Sequence, residues 1–227
     1  MKKEKLIFWN VDTQYDFMRN DKSFKGALPI KGARKIEPNL RRLTNFTIKN
    51  DITIVNTADW HTPESTEFSL TPDYFETFPP HCLQHTHGAM FVPSTRDFID
   101  CSFYWKDDWY GKKQAFEMLP DAKNIVIYKD DFDVFKGNPY TDRILKILKP
   151  ATVVVYGVAT NVCVNFAIKG LLKRRIEVVA VVDAMKELPG CDNTDIYKVW
   201  AKQGVQLNFT KTVIAGIEEY KKEGRIK

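Results

Sequence analysis

The sequence predicts an α/β fold: a three-layer α/β/α arrangement around a mainly parallel, Rossmann-like sheet of about six strands. Three observations carry that expectation. Short β-rich apolar runs recur along the chain, each separated from the next by a stretch with helical periodicity. Runs such as Val153-Val154-Val155 are apolar on both faces, as strands are when helices cover them above and below. The chain has 227 residues, 44% of them hydrophobic, which suits one medium domain with a real core. No internal repeat, low-complexity tract or Pro/Ser linker divides it, so residues 1–227 are expected to form a single domain.

Taken in order, the first strand is expected at Leu6–Val11, a brief apolar run that Asp12 ends. A helix follows over Gly32–Lys49, and a second strand over Ile52–Thr57. From Thr62 to Lys123 the alternation lapses into a stretch rich in Pro, Phe, Trp and His without clear periodicity. A connection this long is usually functional. Alternation resumes with strands at Asn124–Tyr128, Thr152–Tyr156 and Val178–Val182 and a weaker one at Val205–Phe209. Helices are expected between and after them, at Thr141–Leu148, Asn161–Arg174, Asn193–Gln203 and Val213–Lys222.

Composition narrows the function classes. There are 34 Lys+Arg against 29 Asp+Glu, a net charge of +5, but the basic residues are dispersed among acids and apolar residues. Solvated helix faces account for them better than a nucleic-acid footprint, which needs clustering on one face. The apolar run near Met1 is too short for a signal peptide, and no stretch approaches the ~20 apolar residues of a membrane span. A soluble, cytoplasmic protein without nucleic-acid or membrane partners is expected; self-association is left open. The four Cys, at 82, 101, 163 and 191, form no C-x-x-C pair, so reduced thiols are expected rather than a zinc ribbon or a disulfide framework. All four His (His61, His81, His85, His87) fall between residues 61 and 87, a bunching that invites a metal hypothesis.

Ligands of parallel sheets bind beyond the carboxyl ends of strands, so the residues just after each run are the first candidates. These are Asp12, Asp59, Lys129, the Gly157-Val158-Ala159-Thr160 turn leading to Cys163, and Asp183. With Thr160 as N-cap, Cys163 falls in the first helical turn, whose positive end favours a thiolate and whose free N–H groups suit an oxyanion. A small buried hydrophobe is the alternative reading of this Cys, and the one given to Cys82, Cys101 and Cys191. Asp12 as a proton carrier and Lys129 as a fixed ammonium would complement a nucleophile; singly, each is equally an ordinary cap or surface charge. In the triplet Asp59-Trp60-His61, residues i and i+2 of an extended chain point the same way, so a carboxylate and an imidazole can meet one cation. His81, stiffened by Pro79 and Pro80, and Glu67 complete a mixed His/carboxylate set suited to zinc, iron or manganese. His85 and His87 are expected to be bystanders. The Ser-nucleophile elbow, the P-loop and the dinucleotide fingerprint are all missing from the sequence.

Read in chain order, VDTQYDF (11–17), TADWH (57–61), FPPHCLQHTHGA (78–89), a strand ending in Lys129 and YGVATNVCVNFA (156–167) resemble the isochorismatase-like cysteine hydrolases, and within them the nicotinamidases. The resemblance runs from Leu6 to about Ala184. It implies Asp12, Lys129 and Cys163 as the catalytic set, Asp59, His61 and His81 as metal ligands with Glu67 at a variable ligand position, and a cis peptide between Val158 and Ala159. It further implies an oxyanion hole from the N–H groups of Ala159 and Cys163, and stacking of a substrate ring on Phe17, with Phe78 where several relatives have Trp. The implied reaction is hydrolysis of nicotinamide to nicotinate and ammonia through a Cys thioester, with one divalent ion, zinc before iron or manganese, orienting the substrate.

Two departures widen the substrate question. The segment from Cys101 to Lys123, with Trp105, Trp109 and Tyr110, lengthens the spacing from His81 to Lys129, and FDVFKGNP (132–139) resembles less characterised cysteine hydrolases of the same superfamily. Another carboxamide or an N-carbamoyl substrate is therefore the enzymatic alternative, and a non-catalytic metal- or ligand-binding module the other. Cys163 itself disfavours the vinyl-ether chemistry of isochorismatases proper, which lack that nucleophile.

Overall fold

The computed structural model describes residues 5–106, 109–188 and 193–224; Cys191 lies outside them. In chain order the elements are β1 (Leu6–Val11), α1 (Tyr15–Met18), a 3-10 turn (Ala33–Ile36), α2 (Glu37–Asn50), β2 (Ile54–Asp59), β3 (Cys101–Phe103), α3 (Trp109–Met118), β4 (Asn124–Lys129), α4 (Val134–Gly137), α5 (Thr141–Leu148), β5 (Thr152–Val158), α6 (Asn165–Lys173), β6 (Glu177–Lys186), α7 (Asn193–Lys202), β7 (Gln206–Asn208) and α8 (Thr210–Lys222).

The strands form one seven-stranded sheet in the order β3-β4-β2-β1-β5-β6-β7, with every neighbouring pair parallel. The chain builds outward from β1 in one direction, then crosses back to lay β5 on its other side. The switch point between β1 and β5 opens a crevice at the carboxyl ends, where such sheets take ligands.

Alternation along the strands divides the core into two layers. Ile7, Trp9 and Val11 of β1 join Val153 and Val155 of β5 in packing against Ile144, Leu145 and Leu148 of α5 and Ile168 and Leu171 of α6. On the opposite face Phe8, Val154 and Tyr156 meet Leu40, Leu43 and Phe46 of α2 and Val213 and Ile217 of α8. The predicted three-layer α/β/α class is the observed one.

Strand β2 runs over Ile54–Asp59 rather than Ile52–Thr57, so Asp59 closes the strand, and β4 likewise includes Lys129; the other differences from expectation are larger. The sheet has a seventh strand, β3, and the 62–123 stretch carries α3 as well; β3 is only three residues long and exists through its pairing of Cys101 with Ile125 and Phe103 with Ile127. Helix α8 begins at Thr210 rather than Val213, because the Asp183 carboxylate accepts from the Thr210 N–H (2.7 Å) and hydroxyl (2.8 Å) and caps the helix from β6. Asp183 consequently lies inside β6, which runs on to Lys186, and not beyond a strand end.

At the amino rim, four helix-to-strand returns each use a left-handed residue: Asp51, Lys149, Arg175 and Gly204. No described helix is long and apolar enough to cross a membrane.

Candidate active site and metal centre

Four adjacent strands, β4-β2-β1-β5, deliver the predicted residues to one rim. Asp59 and Lys129 are register partners at the ends of β2 and β4. Asp12 follows β1 in a left-handed conformation (φ 48°), which Asp tolerates better than most residues. Its N–H donates to the Thr57 carbonyl (3.1 Å), and its Oδ1 accepts from the Thr57 hydroxyl (2.6 Å). On β5, Gly157 pairs with Val11, and a Cβ there would stand 2.1 Å from the Val11 carbonyl oxygen, so only glycine allows β5 this close at φ 120°. The Val158–Ala159 peptide is cis.

Cys163 follows on a wide helical turn, Thr160–Val164, that leads into α6. The cap position is Ala159, one residue before the predicted Thr160. Its carbonyl accepts from the N–H groups of both Val162 and Val164, each at 3.1 Å.

Charge is concentrated at a buried ammonium. Lys129 Nζ lies 3.0 Å from Asp12 Oδ2 and 3.7 Å from Cys163 Sγ, and forms a close ion pair with Asp59 Oδ1. Burial works against its charge, yet the Asp12 and Asp59 carboxylates outweigh it and hold Lys129 well above the usual lysine range. Asp59 shows the reverse balance: burial raises it, but Lys129 and the neighbouring imidazoles keep it well below the usual carboxylate range. Asp12 goes the other way, because its burial outweighs the pull of Lys129.

Cys163 departs from its predicted behaviour. Burial pushes the thiol well above its ordinary range against the pull of Lys129. Full burial of a charge outweighs the modest stabilisation of about 0.3–2 kcal/mol that a helix end offers it. The resting thiol is thus protonated and needs a base, and Asp12 is its buried carboxyl neighbour.

Beside this set, donor atoms of Asp59, His61 and His81 all lie within 4.8 Å of one another. Asp59 Oδ2 is 3.9 Å from His61 Nε2 and 3.7 Å from His81 Nε2, and Glu67 Oε2 is 3.6 Å from His61 Nε2. These separations exceed hydrogen bonds but suit atoms converging on a shared cation. The outer ring nitrogens are engaged: His81 Nδ1 donates to the Pro79 carbonyl (2.8 Å), and His61 Nδ1 pairs with the Ser65 hydroxyl (3.1 Å). That assignment leaves Nε2 of His81 a lone-pair donor, as metal-binding imidazoles require. His61 Nε2 and Glu67 Oε1 are buried and have no hydrogen-bond partner. A divalent cation fits this donor set of two imidazoles and one or two carboxylates. A second convergent group, Asp12, Asp59 and Cys163, already shares the ammonium of Lys129.

Both centres reach one narrow cleft, the first through Cys163 and the second through Asp59, Glu67 and His81. Asp59, Glu67, His81 and Cys163 supply its polar wall. Phe17 and Phe78, the predicted ring contacts, line it and lie with ring centroids 5.2 and 6.2 Å from His81. Leu28 and Ile30 from one connection, Phe132 at the head of the FDVFKGNP run and Leu188 after β6 add to the apolar wall from three separate segments. Phe68, also unpredicted, sets its ring 5.1 Å from His61 and 5.5 Å from His81. His85 packs on Trp60 and His87 on Tyr15 and Phe24, outside both centres.

Known proteins resemble this chain in sequence and in fold. The family model described as the isochorismatase domain matches residues 105–207. The nicotinamidase/pyrazinamidase of Mycobacterium tuberculosis is 27% identical over 177 residues, 76% of this chain and 82% of that protein. Among solved structures, the pyrazinamidase of Pyrococcus horikoshii in complex with zinc superposes with a TM-score of 0.69 at 24% identity, covering 90% of this chain and 99% of that one. The N-carbamoylsarcosine amidase of Thermoplasma acidophilum gives 0.67 at 19% identity, covering 91% and 96%. The chain is thus similar to the isochorismatase domain over residues 105–207 and to a nicotinamidase/pyrazinamidase over most of its length, it shares the fold of the solved pyrazinamidase, and these likenesses support an amide-bond hydrolase.

Proposed function

We propose that the protein is a metal-containing cysteine amidohydrolase that converts nicotinamide and water to nicotinate and ammonia in the cytoplasm. The broader class, an amide-bond hydrolase, is that of its relatives, and it displaces the non-catalytic module considered from the sequence. One observation carries the narrower reading: Cys163, backed by buried Lys129 and Asp12, lines the same small cleft as Asp59 and His81 of the donor set, with the rings of Phe17 and Phe78 beside them.

In the proposed reaction Asp12 takes the proton of Cys163 as Sγ attacks the carboxamide carbon. Lys129 stays charged and steadies both the carboxylate and the forming thiolate. The N–H groups of Ala159 and Cys163 are the proposed donors to the oxyanion. Asp12 returns the proton to the departing nitrogen and ammonia leaves; Asp12 then takes a proton from water as its oxygen attacks the thioester carbon, and passes that proton to the Cys163 sulfur expelled when the C–S bond breaks. Asp59, His61 and His81, with Glu67, would hold the divalent ion, zinc before iron or manganese. Bound there, it supplies a Lewis-acidic contact that orients a substrate heteroatom. Phe17 and Phe78 would sandwich a flat ring.

The N-carbamoyl alternative rests on the Thermoplasma acidophilum structure. Against a carboxylate-bearing substrate of that type, no lysine or arginine lines the cleft among the described residues, and the nearby ammonium of Lys129 already serves Asp12 and Asp59. Ammonia release should be measured on nicotinamide and on a panel of carboxamides and N-carbamoyl amino acids, with and without chelator, for the wild type and Cys163→Ala. The reading expects turnover of nicotinamide that chelation reduces and Cys163→Ala abolishes. Turnover of an N-carbamoyl compound with none of nicotinamide would replace it.

A further inference from the structure

We propose that Gln14 and Asp16 are positioning residues of the metal centre, each gripping the backbone of a different ligand-bearing segment. The inference rests on the metal reading above. Both belong to the VDTQYDF stretch, in which only Asp12 and Phe17 have so far been given work.

Gln14 is fully buried, and its amide clamps one residue from both sides. Its Oε1 accepts from the Asp59 N–H (2.8 Å), and its Nε2 donates to the Asp59 carbonyl (2.7 Å) and to the Ala89 carbonyl (2.8 Å). Asp16, also buried, does the same for the other segment. Its Oδ2 accepts from the N–H of Cys82 (2.7 Å), the peptide directly after His81, and its Oδ1 accepts from the Ala27 N–H (3.0 Å). Gly88 presses against that carboxylate so closely that a Cβ there would stand 2.2 Å from Oδ2.

His61 needs no such help, since backbone bonds pin it directly: its N–H donates to the Cys82 carbonyl (3.1 Å), and its carbonyl accepts from Gln84 (2.9 Å). The Asp59 and His81 segments are additionally held by the two side chains, Asp59 on top of its β2–β4 ladder. A cation demands its donors within a few tenths of an ångström, and groups that hold ligands in place are worth about 10–100-fold in affinity. Gln14 and Asp16 thus tie the metal ligands to the short stretch that also carries Asp12.

The test is zinc affinity, read on the full chain by competition with a chromophoric chelator, so that it is independent of turnover. Gln14→Glu turns a donor into an oxygen facing two carbonyls; Asp16→Asn keeps the shape but sets an N–H₂ against a backbone N–H. Each is expected to weaken zinc binding about 10–100-fold. Leu145→Ala, a core truncation on α5 remote from the site, serves as the control for stability loss alone and is expected to leave affinity within about twofold of wild type. Gly88→Ala approaches from outside, displacing the Asp16 carboxylate without altering it, and is expected to weaken binding in the same direction. If Gln14→Glu does not fold, the isosteric Asp16→Asn decides the matter. Affinities of Gln14→Glu and Asp16→Asn no weaker than that of the control overturn the proposal while leaving the metal reading intact. A wild type that takes up no divalent ion overturns the metal reading and this one with it.

Discussion

Replacing Lys129 with Met tests the electrostatic core of the site without reference to any substrate. The side chain is 1% exposed and faces two carboxylates. At 3.0 Å and an effective dielectric of about 20, its attraction to Asp12 alone is roughly 5.5 kcal/mol before desolvation is counted. Removing one partner from a buried ionic cluster typically costs about 3–5 kcal/mol, because the remaining charges are left unpaired. For a chain of this size that corresponds to a fall in Tm of about 6–20 °C at pH 7. The sign of the pH dependence follows from the two carboxyls. Asp59 in the wild type is held down, so its contribution to stability is present above its unfolded value near 3.8 and disappears as pH falls through the folded one. Without the ammonium, burial raises both carboxyls, so the variant instead loses stability as pH rises. The gap between wild type and variant should therefore be widest near neutrality and narrow below about pH 4. Thermal melts by circular dichroism from pH 3.5 to 8 read it directly. A Lys129→Met protein that melts with the wild type at pH 7, or a deficit that does not change with pH, would refute this account of the cluster.

Two further outcomes can be checked on purified protein. Burial, followed by the negative charge of Asp59, pushes Glu67 up to about 8, so after chelation its share of stability is complete below its ordinary value of about 4.5 and is lost as pH rises through about 8. Zinc binding at pH 7 should accordingly release a proton that Glu67→Gln does not, as calorimetry in buffers of different ionisation enthalpy would show; equal release by both proteins contradicts it. Gly216 sits within α8 with open space where a Cβ would go, so Gly216→Ala should gain about 1 kcal/mol and raise Tm by about 2–4 °C; an unchanged or lower Tm means that the helix or its neighbours resist the methyl.

The parts of this fold that were readable in the sequence are those where local chemistry and tertiary context agree. Val153-Val154-Val155 declares a strand covered on both faces, and the structure places it in the middle of the sheet between two helix layers. Asp12, Asp59 and Lys129 were found because parallel strands end in register, and chain order alone then brings their tips together. Strand β3 was missed because three residues of no alternating pattern become a strand only when β4 offers them a ladder. The acidity of Cys163 was misjudged for a related reason. A helix end is visible in sequence, whereas the depth at which the thiol is buried depends on how distant segments close over it. Leu28, Ile30, Phe132 and Leu188 share that fate: each is an ordinary apolar loop residue until the fold assembles a wall from them.

The two ends of the sheet have been given different work, and this bears on how the protein can be altered. Its chemistry occupies the carboxyl rim. The opposite rim holds the returns at Asp51, Lys149 and Arg175, where non-glycine residues accept a left-handed backbone that glycine would adopt more readily. Those returns form a reserve of improvable positions set apart from the reacting groups by the length of the strands. A library confined to them can search for robustness while the catalytic apparatus stays constant, so a gain in lifetime at temperature need not trade against turnover.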